Sequence, residues 1–158
     1  MICGPMIDRF KESVESVAGH CIVTTDVADV LQQILADLKA ERIASSENPP
    51  NAHDIFGFDV GISNAQAGIA ETGTLVLDSA CERHRLVSLV PPVHIAIIKA
   101  SAIVETLGEA LALIQKDKEI SPAITFITGP SRTADIELTL AIGVHGPQQL
   151  YVIVDGSK

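Results

Sequence analysis

The sequence predicts an α/β fold in which helices cover both faces of a mostly parallel sheet. Its 158 residues are the length of one domain, long enough to bury a single core. Hydrophobic residues make up 47% of the chain and aromatic residues only 3%, so Ile, Leu, Val and Ala must fill the space between helices and strands. Apolar runs also alternate with helical patterns, which is typical of parallel crossovers.

The first 45 residues predict helix, strand, helix and strand in succession. The first helix ends at Gly19, a short apolar run at residues 20–23 follows, and Thr24-Thr25-Asp26 offers caps for a second helix. A short strand at residues 42–44 completes a β–α–β crossover. The two helical stripes consist of Ile7, Phe10, Val14 and Val17, and of Val27, Val30, Leu31, Ile34, Leu35 and Leu38.

The middle of the chain predicts a loop and then a hairpin. Residues 45–54 contain Pro49-Pro50, which cannot continue a helix or a sheet ladder. Short apolar pieces follow from residue 60, and the pieces at 67–70 and 74–77 flank Glu71-Thr72-Gly73, which predicts strand, tight turn and strand. We expect residues 78–85 to be charged and exposed, and the apolar run at 86–90 is too short to classify.

The last third predicts three strands and two helices. His94 begins a buried strand that ends at residue 98, and a helical stripe follows, with Thr106 and Glu109 at capping-box spacing. This spacing favours a short turn at residues 101–105 before a separate helix. A charged loop at 115–121 precedes a buried strand at 123–127, then a turn, a helix from about 134 to 141, and a final strand at 151–154. The helical stripe consists of Ile103, Leu107, Ala110, Leu111 and Ile114.

Composition excludes several classes of function. The net charge of −9 argues against nucleic-acid binding, because phosphate contacts need clustered Lys and Arg. The three cysteines lack C-x-x-C spacing and no two histidines have ligand spacing, so we expect neither a metal nor another cofactor. No secretory signal or membrane span is apparent, so a cytoplasmic protein is expected.

The turn at residues 128–133 is the first candidate site. A turn between a strand and a helix leaves backbone N–H groups unpaired, and these bind anions in open α/β sheets. Gly129 can adopt backbone angles that other residues avoid, Ser131 and Thr133 offer hydroxyls, and Arg132 can pair with a phosphate or carboxylate. The alternative is simple capping, because Asp135 and Glu137 already place negative charge on the predicted first turn.

Three segments in this order resemble one family. Residues 70–77 (AETGTLVL), 89–95 (LVPPVHI) and 128–137 (TGPSRTADIE), continuing to 143–147 (GVHGP), are similar to the LUD domain of the lactate-utilisation protein C family. The motif-bearing part covers residues 59–155 of a single LUD-like domain at 1–158. The resemblance implies a three-layer fold like that of sugar-phosphate isomerases and CoA transferases. Family members usually carry a further N-terminal helical region, which we expect this chain to lack.

The resemblance also implies a function. It suggests an accessory or ligand-binding subunit in the oxidation of L-lactate to pyruvate, working beside iron–sulfur proteins. One alternative is a free-standing enzyme that acts on an anionic metabolite such as an acyl-CoA or a sugar phosphate. The other is a scaffold without a ligand.

Two further candidates lie in the other motif segments. Glu71 invites comparison with the nucleophilic glutamate of CoA transferases, although an exposed hairpin glutamate is the plainer interpretation. Thr72, Gly73 and Thr74 of the same hairpin are candidate ligand-binding residues. His94 is a candidate for proton transfer or ligand binding at a strand end, with a hydrogen-bonded structural histidine as the alternative.

Overall fold

A five-stranded parallel sheet lies at the centre of the structure, a computed structural model that describes residues 4–79, 82–115, 123–134, 140–142 and 146–157. The helices are α1 (Pro5–Ser16), α2 (Val27–Asp37), α3 (Glu82–Leu89) and α4 (Leu107–Gln115). The strands are β1 (His20–Thr24), β2 (Ile43–Ser45), β3 (Val60–Asn64), β4 (Ala67–Ile69), β5 (Thr74–Ser79), β6 (Val93–Lys99), β7 (Ile103–Val104), β8 (Ala123–Thr128), β9 (Arg132–Ala134), β10 (Leu140–Ile142) and β11 (Gln149–Asp155).

The parallel sheet has the strand order β1-β11-β6-β3-β2. Its last strand in sequence, β11, pairs with β1 on one side and with β6 on the other. The predicted crossover from β1 to β2 is therefore present, but it connects the two edges of the sheet with three strands between them. A second, four-stranded sheet has the order β7-β4-β5-β8, and β9 and β10 form a separate antiparallel pair.

Helices and the second sheet cover the two faces of the parallel sheet. On one face, Ile34 of α2 packs against Val60, Ile95 and Ile153. On the other face, α1 inserts Phe10 and the remainder of its apolar stripe between the parallel sheet and the second sheet. Helix α4 lies on the outer side of the second sheet, where its Ala110 is buried. The α/β fold class predicted from the sequence, with a mostly parallel sheet flanked by helices, is confirmed.

The predicted caps of the first two helices are confirmed, with one change. The N–H of Gly19 donates to the carbonyl of Val14 at 2.9 Å, which closes α1, but the left-handed residue is Ala18 at a φ of 65°. At the start of α2, the side chain of Asp26 accepts a hydrogen bond from the N–H of Asp29 at 3.0 Å.

Helix α3 replaces part of the segment that was expected to be charged and exposed. Strand β5 first continues through Ser79, which is buried, and α3 then runs from Glu82 to Leu89. Val87 of this helix is buried against the sheet, and its carbonyl oxygen would overlap a Cβ on Gly61. The glycine of β3 therefore lets α3 approach the sheet closely.

The predicted helical stripe that starts at Ile103 divides into a strand and a helix. Ile103 lies in β7, and α4 begins at Leu107. The capping box is confirmed, because the N–H of Glu109 donates to Thr106 Oγ1 at 3.3 Å and the N–H of Thr106 donates to Glu109 Oε2 at 3.1 Å.

Two expectations for the C-terminal third are wrong. Strand β8 is not buried: it lies at the edge of the second sheet, where Phe126 is 46% exposed. The prediction of a helix from about 134 to 141 is also wrong, because both ends of this segment belong to strands: β9 and β10 pair with each other in antiparallel register. Leu138, Leu140 and Ile142 fall on alternate positions, which is a strand period. Residues 135–139 lie outside the described residues.

Candidate functional site

A cavity of about 550 Å³ opens beside the turn that follows β8, and we call it the turn cavity. This volume is within the usual range for small-molecule sites. The floor and walls come from α1, α3, β6, β8 and the segment before β11. The lining consists of Ser16, Val17, Ser88, Leu89, His94, residues 125–132, Gly146, Pro147 and Leu150.

The turn itself is held in place by packing and one backbone hydrogen bond. Gly129 has a φ of 71°, a left-handed conformation, and a Cβ at this position would overlap the carbonyl oxygen of Val17 at the end of α1. The N–H of Ser131 donates to the carbonyl of Pro147 at 2.8 Å. That N–H is therefore occupied, and the expected ring of free backbone donors at a helix N-terminus is absent here because the turn leads into β9.

Arg132 gives the turn cavity its charge. Among the described residues that line the cavity, it is the only one with a formal charge at neutral pH, and its side chain is exposed at the rim. A positive site in a chain with a net charge of −9 favours a small anion over a cation. A guanidinium also matches the geometry of a carboxylate or phosphate.

His94 is a deeply buried polar side chain in the lining, with 1% of its surface exposed. Its Nε2 lies 2.6 Å from Oγ of Ser63, whereas Nδ1 is buried without a hydrogen-bond partner. Burial lowers the pKa of His94 from 6.5 to about 4, so the ring is neutral at pH 7. His94 therefore carries one neutral, buried nitrogen without a hydrogen-bond partner, on a side chain that lines the cavity.

The hairpin between β4 and β5 connects to the cavity through hydroxyl groups. Thr72 Oγ1 lies 2.7 Å from Thr74 Oγ1, which in turn lies 2.7 Å from Thr128 Oγ1 at the cavity wall. Gly73 adopts a φ of 66° and packs against the backbone of α1 at Ser13. The hairpin and the turn therefore pack against the same end of α1: Gly73 lies near Ser13, and Gly129 lies near Val17.

Glu71 is exposed in that hairpin and does not line the turn cavity. Its N–H donates to the carbonyl of Glu105 at 3.2 Å, which holds the hairpin against the segment before α4. The described contacts provide no base or cation beside its carboxylate. A nucleophilic role for Glu71 stays a prediction.

The structure brings four of the predicted site residues together and connects others indirectly. His94, Gly129, Ser131 and Arg132 line one cavity, and Thr72 and Thr74 reach its wall through Thr128. Thr133 lies in β9, but its side chain, Asp135, Glu137 and His145 lie outside the described residues.

Two serines that the sequence did not single out also belong to this region. Ser63 contacts His94, and Ser88 lines the cavity while its hydroxyl donates to the carbonyl of Arg85 at 2.9 Å. Both serines are buried. No motif marks either residue, because their positions depend on how β3 and α3 pack against β6.

The described part of the chain offers neither a metal-binding group nor a membrane-spanning helix. Across residues 4–157, apart from the gaps given above, no group of three or more His, Cys, Asp or Glu is placed to hold a metal ion. In those described ranges, none of the helices has the length and apolar character needed to span a membrane.

Comparison with known proteins connects the chain to one family. The model of the LUD domain matches residues 35–154. An uncharacterized protein of Neisseria meningitidis serogroup B is 39% identical over 150 residues, which cover 91% of this chain and 64% of that protein. Lactate utilization protein C of Bacillus licheniformis is 40% identical over 102 residues, which cover 61% of this chain and 42% of that protein.

The chain therefore spans 42% to 64% of the length of these relatives. Among solved structures, the crystal structure of a DUF162 family protein from Deinococcus radiodurans superposes with a TM-score of 0.69. The superposition covers 94% of this chain and 95% of that one at 21% sequence identity. At this identity the likeness shows the fold alone.

Proposed function

The chain belongs to the LUD domain family, and from this premise we propose that it serves lactate utilisation as a subunit that binds a small organic anion in the turn cavity. Two observations support the assignment. Relatives about 40% identical over 100 residues carry the name lactate utilization protein C, and two of the three motif segments line the turn cavity while the third contacts its wall through Thr74.

The charge of the cavity carries the anion-binding part of the proposal. Arg132 is the only formally charged residue among the described residues of the lining, and His94 adds a neutral ring whose unpartnered Nδ1 can carry a donor proton. Carboxylates such as lactate and pyruvate offer oxygen acceptors that match these donors. A cavity of about 550 Å³ also has room for a larger anion, so acyl-CoA and sugar phosphates belong in the same screen.

The partner proteins are part of the same proposal. Oxidation of L-lactate to pyruvate releases two electrons and two protons, and some centre must accept the electrons. We propose that partner subunits with iron–sulfur clusters hold that centre, and that this chain supplies ligand binding beside them. The resemblance of its motifs to the lactate-utilisation protein C family supports this division of roles.

A ligand screen tests anion binding directly. The melting temperature is measured with lactate, pyruvate, an acyl-CoA and a sugar phosphate, for the wild type and Arg132→Ala. A ligand at 100 times its Kd stabilises the folded state by about 2.7 kcal/mol, which raises the melting temperature by about 5–10 °C for a chain of this size. We expect at least one anion to give such a shift, and Arg132→Ala to lose most of it.

Arg83→Ala is the matched control, because Arg83 is an exposed arginine of α3 that does not line the turn cavity. It should respond to ligands as the wild type does. Equal responses of wild type and Arg132→Ala to every stabilising anion would exclude Arg132 as the anion-binding residue.

The role in lactate utilisation needs a test in cells. A strain that lacks the gene should grow poorly with lactate as its carbon source and normally with pyruvate, and the tagged protein should co-purify with iron–sulfur proteins. Normal growth on lactate together with the absence of such partners would contradict the proposed role.

A further inference from the structure

We propose that Ser63 is a positioning residue of this site, which donates its hydroxyl proton to Nε2 of His94 and thereby directs the Nδ1–H of His94 toward an oxygen of the bound ligand. The ligand part of this inference rests on the proposed function of the turn cavity. The hydrogen-bond arrangement of the two side chains does not depend on any ligand.

The arrangement of strands places the two side chains together. Strands β3 and β6 are parallel neighbours, with Gly61 opposite His94 and Ser63 opposite Ala96. Gly61 has no side chain, and the carbonyl of Val87 occupies the space where its Cβ would lie. The first side chain of β3 that the His94 ring meets on this face is therefore Ser63, and their 2.6 Å separation is short for a hydrogen bond between neutral groups.

Proton counting selects the direction of this hydrogen bond. His94 is fully buried and neutral, so its ring carries one N–H and one acceptor nitrogen. If Nε2–H donated to Ser63, the hydroxyl proton of Ser63 would have no acceptor among the described residues, and Nδ1 would be an unpaired acceptor. If Ser63 donates to Nε2, the hydroxyl proton and Nε2 are both satisfied, and only Nδ1–H is left unpaired.

The unpaired Nδ1–H then has a defined use. A buried donor without a partner destabilises the folded state until an acceptor arrives. Nδ1 is such an atom, on a side chain that lines the same cavity as the Arg132 guanidinium. Both groups can only donate, so together they select a ligand that bears oxygen acceptors, such as a carboxylate, and they disfavour an amine.

The ring tautomer of His94 in the wild type tests the first half of the proposal. Long-range ¹H–¹⁵N NMR on protein labelled at histidine distinguishes Nδ1–H from Nε2–H at pH 7 and needs neither a variant nor a ligand. We expect His94 to be protonated at Nδ1. Protonation at Nε2 in the free wild type would overturn the proposal.

Ser63→Ala tests the positioning role. We expect the His94 ring to lose its single tautomer in this variant and the Kd for pyruvate to rise by roughly tenfold, as the loss of one oriented hydrogen bond predicts. Ser79→Ala is the control, because Ser79 is also a buried serine, does not line the turn cavity and has no hydrogen bond to His94, whose described side-chain partner is Ser63. It should keep both the tautomer and the Kd, and an unchanged Kd in Ser63→Ala would exclude the role.

The two halves fail separately. If the wild-type ring is protonated at Nδ1 but pyruvate shifts no resonance of the cavity residues, binding of this carboxylate is excluded and the assignment of Ser63 as the donor to His94 is retained. If pyruvate binds while the ring is protonated at Nε2, the turn cavity is a carboxylate site and Ser63 does not orient His94 as proposed.

Discussion

Burial of His94 should make stability depend on pH. The pKa of this side chain is about 4 in the folded state, against 6.5 for an exposed histidine. Between these values the unfolded chain binds a proton that the folded chain does not, so the free energy of unfolding falls as pH drops from about 6.5 to about 4. From pH 7 to pH 5 we expect this residue to account for a loss of about 2 kcal/mol.

Urea unfolding at pH 7 and pH 5 measures this loss. Carboxylates also titrate toward acid pH, so the comparison is with His94→Gln, which removes only the imidazole contribution. The wild type should lose more stability than His94→Gln over this interval, whereas His53→Gln, at an exposed position, should match the wild type. Equal losses in the wild type and His94→Gln would contradict a neutral buried ring.

Gly129 should tolerate no side chain. At a φ of 71°, an L-residue costs about 1–2 kcal/mol, and the added Cβ would also overlap the carbonyl oxygen of Val17. We expect Gly129→Ala to lower the free energy of unfolding by more than about 2 kcal/mol, because the steric overlap adds to the cost of the backbone conformation. Thermal and urea unfolding provide the measurement.

Gly108→Ala is the matched substitution. A Cβ at Gly108 would have only Thr106 Oγ1 near it, at 4.0 Å, and the residue lies in the first turn of α4. Alanine has the higher helix propensity, so this variant should be as stable as the wild type or gain up to about 1 kcal/mol. A similar loss of stability in both variants would mean that the backbone conformation and close packing of Gly129 do not cause the loss.

The local sequence predicts that a residue belongs to a site only when its position follows from the turn or element that it forms with its neighbours in sequence. Gly129, Ser131 and Arg132 were placed in one turn because glycine and proline define that turn in the sequence. Ser63 was not predicted as a site residue, because its contact with His94 depends on the register of β3 against β6. Such a register is set by the whole sheet.

Among the elements, strong periodicity decided which were predicted correctly. Helices α1 and α2 carry clear apolar stripes and matched the expectation, as did strands β1, β6 and β11. Helix α3 was missed because it is short and mainly polar, and of its side chains that the structure describes only Val87 and Ser88 are fully buried. The segment that contains β9 and β10 was assigned the wrong period, because its acidic residues suggested a helix N-terminus more strongly than its alternating apolar residues suggested strands.

The capping box of α4 gives a prediction for an element. Thr106 Oγ1 accepts from the N–H of Glu109, and Glu109 Oε2 accepts from the N–H groups of Glu105 and Thr106. Thr106→Ala should lower the free energy of unfolding by about 1 kcal/mol. Thr106→Ser should lower it much less, because serine keeps the capping hydroxyl. Urea unfolding distinguishes them, and equal stability of both variants would contradict a role for the hydroxyl.

At the scale of the whole molecule, the strand order could not be predicted from the sequence. Strand β11, near the end of the described chain, lies between β1 and β6, so the first and last strands in sequence pair with each other at one side of the parallel sheet. The predicted β1–α2–β2 crossover gives no hint of this, because three strands from later in the sequence lie between its two strands. Non-local pairings of this kind leave no trace in local periodicity.

That strand order predicts cooperative unfolding. Among the described strands, β11 is the only sheet partner of β1, and its loss would also leave β6 paired on one side only, so we expect the parallel sheet to unfold in one step. Tyr151 reports on this region, because it is the only tyrosine in a chain without tryptophan and its ring stacks on His20 of β1. Tyrosine fluorescence and far-UV circular dichroism should therefore give one urea midpoint, with a slope of about 1–3 kcal/mol/M. The control is Tyr151→Phe, which should abolish the fluorescence signal and so identify its source. A fluorescence midpoint below that of circular dichroism would show that β11 detaches before the remainder of the sheet.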